Sequence, residues 1–195
     1  MITEEFVRRG AKIKGLCPQF HLSLQSGCDR TLKAMNRHYS TGEFKTAVEN
    51  LRKAFEDCAI TTDLIVGFPG DSDSDFDESK RFCEEIGFAQ MHIFPYSVRE
   101  GTLAAKLPDR VPESVKNARC HTMLRKAAEM KKNFCERYAG KEVDVLFEQE
   151  KNGVWSGMTA NYIEVRKRTN ENLRGKTLRV KVSEYDKENE CLITG

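Results

Sequence analysis

The sequence predicts an α/β protein in which part of a parallel barrel is followed by a small all-β barrel. Two observations predict this architecture. Before residue 139, short apolar segments alternate with longer segments of helical period, which is typical of βα units and a parallel sheet. After it, the helical period stops and short strand-like segments follow one another. We therefore expect two domains, residues 1–138 and residues 139–195.

The individual elements follow from local signals. The predicted strands of the first part are 19–26, 59–66 and 88–96, and those of the second part are 143–147, 161–165, 177–182 and 190–194. The predicted helix ends are the capping pairs Ser40 with Glu43 and Ser72 with Asp75, the stop residue Gly87, and Pro112 as the first residue of a long helix. Apolar residues at helical spacing extend the first of these helices to about Phe55.

The composition is that of an ordinary folded protein, with 32% charged and 39% apolar residues and a formal net charge of +2. No apolar run approaches the roughly 20 residues that a membrane span needs. The first residues carry no signal-peptide pattern. We therefore expect a cytoplasmic protein without a membrane partner.

The seven cysteines are irregularly spaced, and none lie two to four residues apart. This spacing argues against a zinc ribbon and against a local iron–sulfur loop. We expect reduced thiols, as is usual in the cytosol, and no metal ligands in this chain.

The most informative motif is Thr61–Gly70, where an apolar strand runs into a Gly-Phe-Pro-Gly turn and then a helix start. An α/β protein presents backbone N–H groups and a helix N-terminus to a ligand in this way. Gly67 and Gly70 would allow a ligand to approach the backbone closely, and an ordinary turn is the alternative. No Gly-Lys-Ser/Thr follows, which excludes a nucleotide P-loop.

Four segments, in order, resemble the radical-SAM tRNA methylthiotransferases: Phe20–Asp29, Thr31–Tyr39, Asp63–Gly70 and Phe94–Ala105. A fifth, Gly157–Gly175, is similar to the TRAM domain that ends these enzymes. The forms at Leu22–Asp29 and His92–Ser97 favour the branch that acts on threonylcarbamoyladenosine, beside the anticodon, over its isopentenyladenosine relative. The resemblance covers nearly the whole chain.

The resemblance implies half of a TIM-like radical-SAM barrel whose strand ends face S-adenosylmethionine. Gln25 and Ser26 would contact the sugar and amino-acid part of this cofactor, and a simple turn is the alternative. Arg37 would pair with its carboxylate, or lie solvated in a loop. Asp63 would bind an amine or a hydroxyl, or serve the structure. The glycine turn would approach the adenosine moiety.

The TRAM-like segment carries a local excess of cations with aromatic residues between them, a pattern that suits RNA. The predicted phosphate contacts are Lys151, Arg166, Lys167, Arg168, Arg174 and Lys176, and the predicted base-stacking residues are Trp155 and Tyr162. The implied partner is tRNA, bound at its anticodon loop. Lysines that protect strand edges from pairing are the alternative.

The chain departs from the family in one large respect. The family holds its radical-generating 4Fe–4S cluster in a C-x-x-x-C-x-x-C loop and a second cluster in an N-terminal domain, and this chain contains neither sequence. We therefore expect the C-terminal half of such an enzyme, which needs the missing N-terminal half and is inactive alone. Unpaired strand edges and an exposed apolar sheet face predict self-association. The alternatives are a non-catalytic RNA-binding protein and a degenerate product without function.

Overall fold

A computed structural model describes residues 2–194. The helices are α1 (Glu4–Gly10), α2 (Asp29–Ala34), α3 (Thr41–Ala54), α4 (Asp73–Ile86) and α5 (Glu113–Glu136), with a 3-10 turn at Ala104–Lys106. The strands are β1 (Gln19–His21), β2 (Ala59–Val66), β3 (Gln90–Pro95), β4 (Glu142–Lys151), β5 (Val154–Thr159), β6 (Glu164–Arg168), β7 (Thr177–Asp186) and β8 (Cys191–Thr194). No helix among residues 2–194 is long and apolar enough to cross a membrane.

The first sheet is parallel throughout, with strand order β1-β2-β3. Its first strand is shorter than the predicted 19–26, because the buried Thr62 hydroxyl takes the place of a backbone partner. Thr62 Oγ1 donates to the Leu22 carbonyl at 2.5 Å and accepts from the Leu24 N–H at 3.0 Å. The chain rejoins β2 only at Gln25, through a single bridge to Leu64.

The predicted helix caps of α3 and α4 are confirmed. Both helices begin with a reciprocal capping box, from Ser40 and from Ser72, and α4 ends at Gly87 in the left-handed conformation, with φ 64°. Pro112 lies one residue outside α5 rather than at its first position. The short helices α1 and α2 were not predicted by the sequence patterns.

The open face of the parallel sheet is largely polar, which corrects the expectation of an apolar one. Residues of β2 alternate, so that Ile60, Thr62, Leu64 and Val66 are buried against the helices and the residues between them are partly exposed. The open face carries Gln19, His21, Thr61, Asp63, Gln90 and His92, with Ile65 and Phe94 at one end. The outer edges of β1 and β3 pair with no strand among residues 2–194.

The remaining strands close a barrel in the order β4-β5-β6-β8-β7. Strands β4 and β7 extend beyond the predicted segments, and β6 begins after Asn161 and Tyr162, which lie in a turn. Strand β5 was not predicted. The pairing of β6 with β8 is parallel and consists of only two residue pairs, Val165 with Leu192 and Arg166 with Ile193.

Two clusters of buried side chains form the interior. The first lies between the parallel sheet and its helices. The second fills the barrel and includes Phe134 from the last turn of α5 and Tyr138 from the turn that follows it. Asn161 joins the two parts, since its Nδ2 donates to the Asp57 carbonyl at 2.8 Å and to Tyr138 Oη at 2.7 Å.

Candidate ligand cleft and nucleic-acid surface

A cleft of about 670 Å³ lies at the C-terminal edge of the parallel sheet. Three of the predicted cofactor residues, Gln25, Arg37 and Asp63, line it together. Tyr96 and Arg99, from the segment after β3, line it as well. This volume lies in the range of small-molecule sites, and ligands of α/β sheets bind outside the carboxyl ends of the strands.

Gln25 is held rigidly at the end of the first strand. Its N–H donates to the Asp63 carbonyl and its own carbonyl accepts from the Ile65 N–H, both at 2.9 Å. Its φ is 66°, a conformation that is uncommon for a residue with a side chain. Both the N–H and the carbonyl of Gln25 are thus hydrogen-bonded to β2, beside Asp63.

Asp63 lies on the open face of the sheet between two histidines. His21 Nε2 is 3.4 Å from Asp63 Oδ2, and His21 Nδ1 is 3.0 Å from Thr61 Oγ1. His92 stands opposite Asp63 in the pairing of β2 with β3. The carboxylate is partly exposed, so a ligand in the cleft can reach it.

The cleft side chains fit the zwitterionic end of S-adenosylmethionine. Arg37 and Arg99 can pair with a carboxylate, and Asp63 can accept from an ammonium or a hydroxyl. The hydroxyl of Tyr96 is buried and has no hydrogen-bond partner among residues 2–194, so a polar ligand group would satisfy it. Sequence reasoning missed Tyr96 and Arg99, although both belong to the Phe94–Ala105 segment that carries the family resemblance.

Ser26 and the two glycines do not line this cleft. Ser26 is buried, and its hydroxyl accepts from the Cys28 N–H at 3.2 Å. The Gly67 N–H donates to Asp71 Oδ2 at 3.2 Å, and the Gly70 N–H donates to the Asp109 carbonyl at 2.9 Å. Because both glycine N–H groups are used inside the chain, this geometry favours the ordinary-turn alternative.

The glycine turn is covered by the first turns of α5. A Cβ on Gly67 would lie 2.3 Å from Lys116 Cγ, and φ there is 72°. Arg119, which is buried, pairs with Asp71 at 3.1 Å and with Asp73 at 2.8 Å. Burial raises the pKa of the Asp71 carboxyl, and Arg119 opposes that rise. Packing therefore requires Gly67 whether or not a ligand is bound.

The cysteines do not fit an iron–sulfur cluster. Six of the seven are buried, and Cys17 is exposed. Within residues 2–194, no group of three or more His, Cys, Asp or Glu side chains is arranged to hold a metal ion. Burial raises the pKa of the Cys58 and Cys135 thiols to about 11, which disfavours the thiolate form that binds metal.

The predicted phosphate contacts divide among several surfaces. Lys151, Arg166 and Arg168 line one groove of about 790 Å³ on the barrel, which we call the barrel groove. Glu148, Glu150 and Glu164 line the same groove, and Glu164 is paired with Arg166 at 2.7 Å. Lys167 lies in a separate cleft with Arg179 and Lys181. Arg174 and Lys176 are exposed in the turn that precedes β7.

The two predicted stacking residues differ sharply in exposure. Trp155 is only 7% exposed and belongs to the barrel core, so the prediction that it stacks on bases is wrong. Strand β5 turns its side chain inward, and a base cannot reach it. Tyr162 is 62% exposed and remains a candidate.

The fold and the sequence both have counterparts among known proteins. Residues 1–83 match the family model of the radical SAM superfamily. Among solved structures, coproporphyrinogen III oxidase HemN from Escherichia coli, a radical SAM enzyme, has a similar fold, with a TM-score of 0.55 at 13% identity over 66% of this chain and 30% of that chain. This likeness concerns the fold alone.

The curated relatives are more specific. The threonylcarbamoyladenosine tRNA methylthiotransferase MtaB of Bacillus subtilis is 33% identical over 93% of this chain and 41% of its own length. The MtaB of Thermotoga maritima is 39% identical over 84% of this chain and 38% of its own length. The tRNA-2-methylthio-N(6)-dimethylallyladenosine synthase of Clostridium novyi is 39% identical over 75% of this chain and 32% of its own length. These three tRNA methylthiotransferases are similar to this chain over 75–93% of its length, and the chain spans about two fifths or less of these relatives' length.

Proposed function

We propose that this chain supplies the cofactor cleft and the RNA-binding barrel of a tRNA methylthiotransferase of the radical SAM type. The substrate is an adenosine beside the anticodon of tRNA, and the cofactor is S-adenosylmethionine. Residues 1–138 are the C-terminal part of the catalytic barrel in this proposal, and residues 139–195 are the TRAM module. The observation that carries it is the convergence of Gln25, Arg37 and Asp63 on one cleft.

The threonylcarbamoyladenosine branch is the better supported of the two. Identities to the two branches overlap, but the match extends over 186 and 164 residues in the MtaB relatives. It extends over 147 residues in the Clostridium novyi synthase and 144 in that of Thermobifida fusca. The additional matched length supports the branch that the sequence motifs favour.

In this proposal, the residues of this chain bind and orient S-adenosylmethionine and the tRNA backbone. S-adenosylmethionine, when bound, would supply a radical by one-electron cleavage, and residues 2–194 offer no ligands for an iron–sulfur cluster. Arg37 and Arg99 hold the cofactor carboxylate, and Asp63 accepts from its ammonium or ribose hydroxyls. The barrel groove holds the tRNA backbone.

The test is the affinity of the whole chain for S-adenosylmethionine, measured by titration calorimetry. Asp63→Asn keeps the shape of the side chain and removes its charge, so we expect affinity to fall on the order of tenfold, the size of a charge-assisted hydrogen bond. Asp144→Asn is the matched control, because Asp144 is an exposed carboxylate on β4, outside the cleft. Equal affinities for both variants would remove Asp63 from the site, and no binding by the unchanged chain would refute the cleft assignment.

A non-catalytic RNA-binding protein is the second candidate, and it is favoured by Lys151 and Arg168, the cations of the barrel groove other than the Glu164-paired Arg166, in a groove that three glutamates also line. It predicts tRNA binding that weakens steeply with salt. It also predicts no affinity for S-adenosylmethionine. The calorimetric titration therefore separates the two candidates.

A further inference from the structure

The open face of the parallel sheet and the barrel enclose a second cavity, of about 450 Å³, which we call the junction cavity. Its sheet side includes His21, Gln90 and His92, and its barrel side includes Met158 and Tyr162. Met158 and Glu164 also line the barrel groove, so the cavity and the groove share a wall. A strand lying in the groove would therefore pass beside the cavity.

Tyr162 has an unusual conformation at the mouth of this cavity. Its φ is 63°, which is a genuine outlier for a bulky side chain. Its neighbours, Asn161 and Ile163, are both buried. The Ile163 N–H donates to Thr159 Oγ1 at 2.9 Å, and Thr159 Oγ1 donates to Asn161 Oδ1 at 2.7 Å. Because both neighbours are anchored, the ring of Tyr162 stays at the surface in a costly backbone conformation.

The polar groups of the cavity suit a base more than a phosphate. Its charged side chains are paired, since Lys131 Nζ lies 2.8 Å from Glu190 Oε2 and Glu164 is paired with Arg166. Gln90 and His92 are exposed and make no side-chain hydrogen bond among residues 2–194, and the His92 ring lies 6.5 Å from the ring of His21. An amide and an imidazole both donate and accept hydrogen bonds, as the edge of a nucleobase does.

We propose that the junction cavity binds one unpaired nucleobase of an RNA strand whose backbone lies in the barrel groove. Tyr162 stacks on the base, and Gln90 and His92 bind its edge. The phosphates on either side lie towards Lys151, Arg166 and Arg168. This inference deepens the proposed function and rests on it, since it names the RNA feature that the barrel recognises.

The test compares short unpaired RNA with duplex RNA of the same length, by fluorescence anisotropy on the whole chain. Tyr162→Ala should weaken the binding of unpaired RNA about tenfold, which lies within the range expected for the loss of one stacked base. The affinity for duplex RNA should stay unchanged. Tyr162→Phe keeps the ring and should stay within about twofold of the unchanged chain. Leu103→Ala, which removes an exposed apolar side chain outside the cavity, is the matched control.

Tyr162→Gly separates recognition from folding. Glycine adopts positive φ without strain, so its thermal unfolding temperature should equal or exceed that of the unchanged chain, although its affinity for unpaired RNA falls as in Tyr162→Ala. Unpaired RNA carrying 2-aminopurine should lose fluorescence on the unchanged chain and keep it on both variants.

Three results would overturn the inference. The first is that Tyr162→Ala binds unpaired RNA as tightly as the unchanged chain does. The second is that Tyr162→Ala loses as much affinity for duplex RNA as for unpaired RNA, and the third is that Tyr162→Phe loses as much affinity for unpaired RNA as Tyr162→Ala does. In each of these cases RNA still binds the barrel, and the proposed function stands. Absence of RNA binding by the unchanged chain would refute the RNA part of the proposed function itself.

Discussion

At the scale of single residues, Trp155 and Tyr162 show what a sequence motif leaves undetermined. Both are large aromatic residues among cations, and both were predicted to stack on bases. Strand β5 turns Trp155 into the barrel core, whereas the turn before β6 leaves Tyr162 in solvent. The sequence patterns did not identify β5, so the inward direction of Trp155 could not be read from strand alternation.

The burial of Trp155 leads to a stability prediction. Trp155→Ala removes a large core side chain and should lower the free energy of unfolding by about 3–5 kcal/mol. Trp155→Phe should cost about 1–2 kcal/mol, because an aromatic ring still fills most of the space. Urea unfolding measures both values. Tyr162→Phe is the surface control and should stay within about 0.5 kcal/mol.

RNA affinity provides the complementary measurement for this residue. The folded Trp155→Phe variant should bind unpaired RNA as tightly as the unchanged chain does, since no base can reach position 155. If the Trp155→Phe variant is fully folded and still binds RNA much more weakly, Trp155 is an RNA contact after all.

The cofactor residues show how far single positions could be predicted. Asp63 stands out in the sequence as a carboxylate in an apolar strand, and the alternation of β2 places it on the open face, as expected for a ligand contact. Tyr96 and Arg99 follow β3 in an irregular segment, so no periodicity predicts where their side chains lie. The roles of Gly67 and Gly70 depend on α5 and on Asp109, which are distant in sequence.

At the scale of elements, one carboxylate at the start of α4 connects this helix to α2. Asp75 belongs to the capping box with Ser72 and also accepts from Arg30, with Nε 2.7 Å from Oδ1. The Arg30 guanidinium holds the pKa of the Asp75 carboxyl well below its usual range. One side chain thus caps a helix and ties it to α2.

This junction predicts an acid dependence of stability. Asp75→Asn should lower the free energy of unfolding by about 2 kcal/mol at pH 7, from the lost cap and the weakened contact with Arg30. The native pKa is depressed, so the charged carboxylate stabilises the fold above its unfolded pKa of about 3.9 and less as pH falls below that value. The unchanged chain should therefore lose stability between pH 4 and pH 2 more steeply than Asp75→Asn does.

The control for this element is Asp77→Asn, which removes an exposed carboxylate paired with Lys80 on the same helix. It should leave the free energy of unfolding nearly unchanged, because an exposed ion pair contributes little to stability. Parallel acid profiles for the unchanged chain and Asp75→Asn, measured by urea unfolding, would show that the ion pair with Arg30 does not stabilise the fold.

The elements were predicted well where the signal was local and poorly where it was not. The caps at Ser40, Ser72 and Gly87 depend on neighbours within a few residues, and all three are confirmed. The early end of β1 depends on Thr62, a residue of the neighbouring strand whose hydroxyl replaces a backbone partner. Residues 19–26 alone therefore contain no pattern that predicts where β1 ends.

At the scale of the whole molecule, the cysteines bear on what this polypeptide can do alone. We expect the purified chain, reconstituted with iron and sulfide and supplied with a reductant, to release no 5′-deoxyadenosine from S-adenosylmethionine. The physical reason is that no three His, Cys, Asp or Glu side chains among residues 2–194 are arranged to hold a metal ion, and burial raises the pKa of the Cys58 and Cys135 thiols to about 11. Chromatography of the reaction mixture measures the product, and its appearance with turnover would contradict this expectation.

The polar open face bears on the association state that the sequence predicted. Self-association was expected from an apolar face and from unpaired edges, and only the edges are present among residues 2–194. Histidine, aspartate and glutamine side chains cover most of the face. Any association in solution is therefore expected through strand edges, which backbone hydrogen bonds can extend.

The two residue pairs between β6 and β8 have a consequence for how the barrel is made during translation. Strands β4, β5 and β6 can form a meander as they leave the ribosome, and β7 can join them along β4. The gap between β6 and β7 stays open until β8 emerges and is inserted there. Closure of the barrel thus waits for β8, and a barrel without β8 leaves the core around Phe147 and Val165 open between β6 and β7.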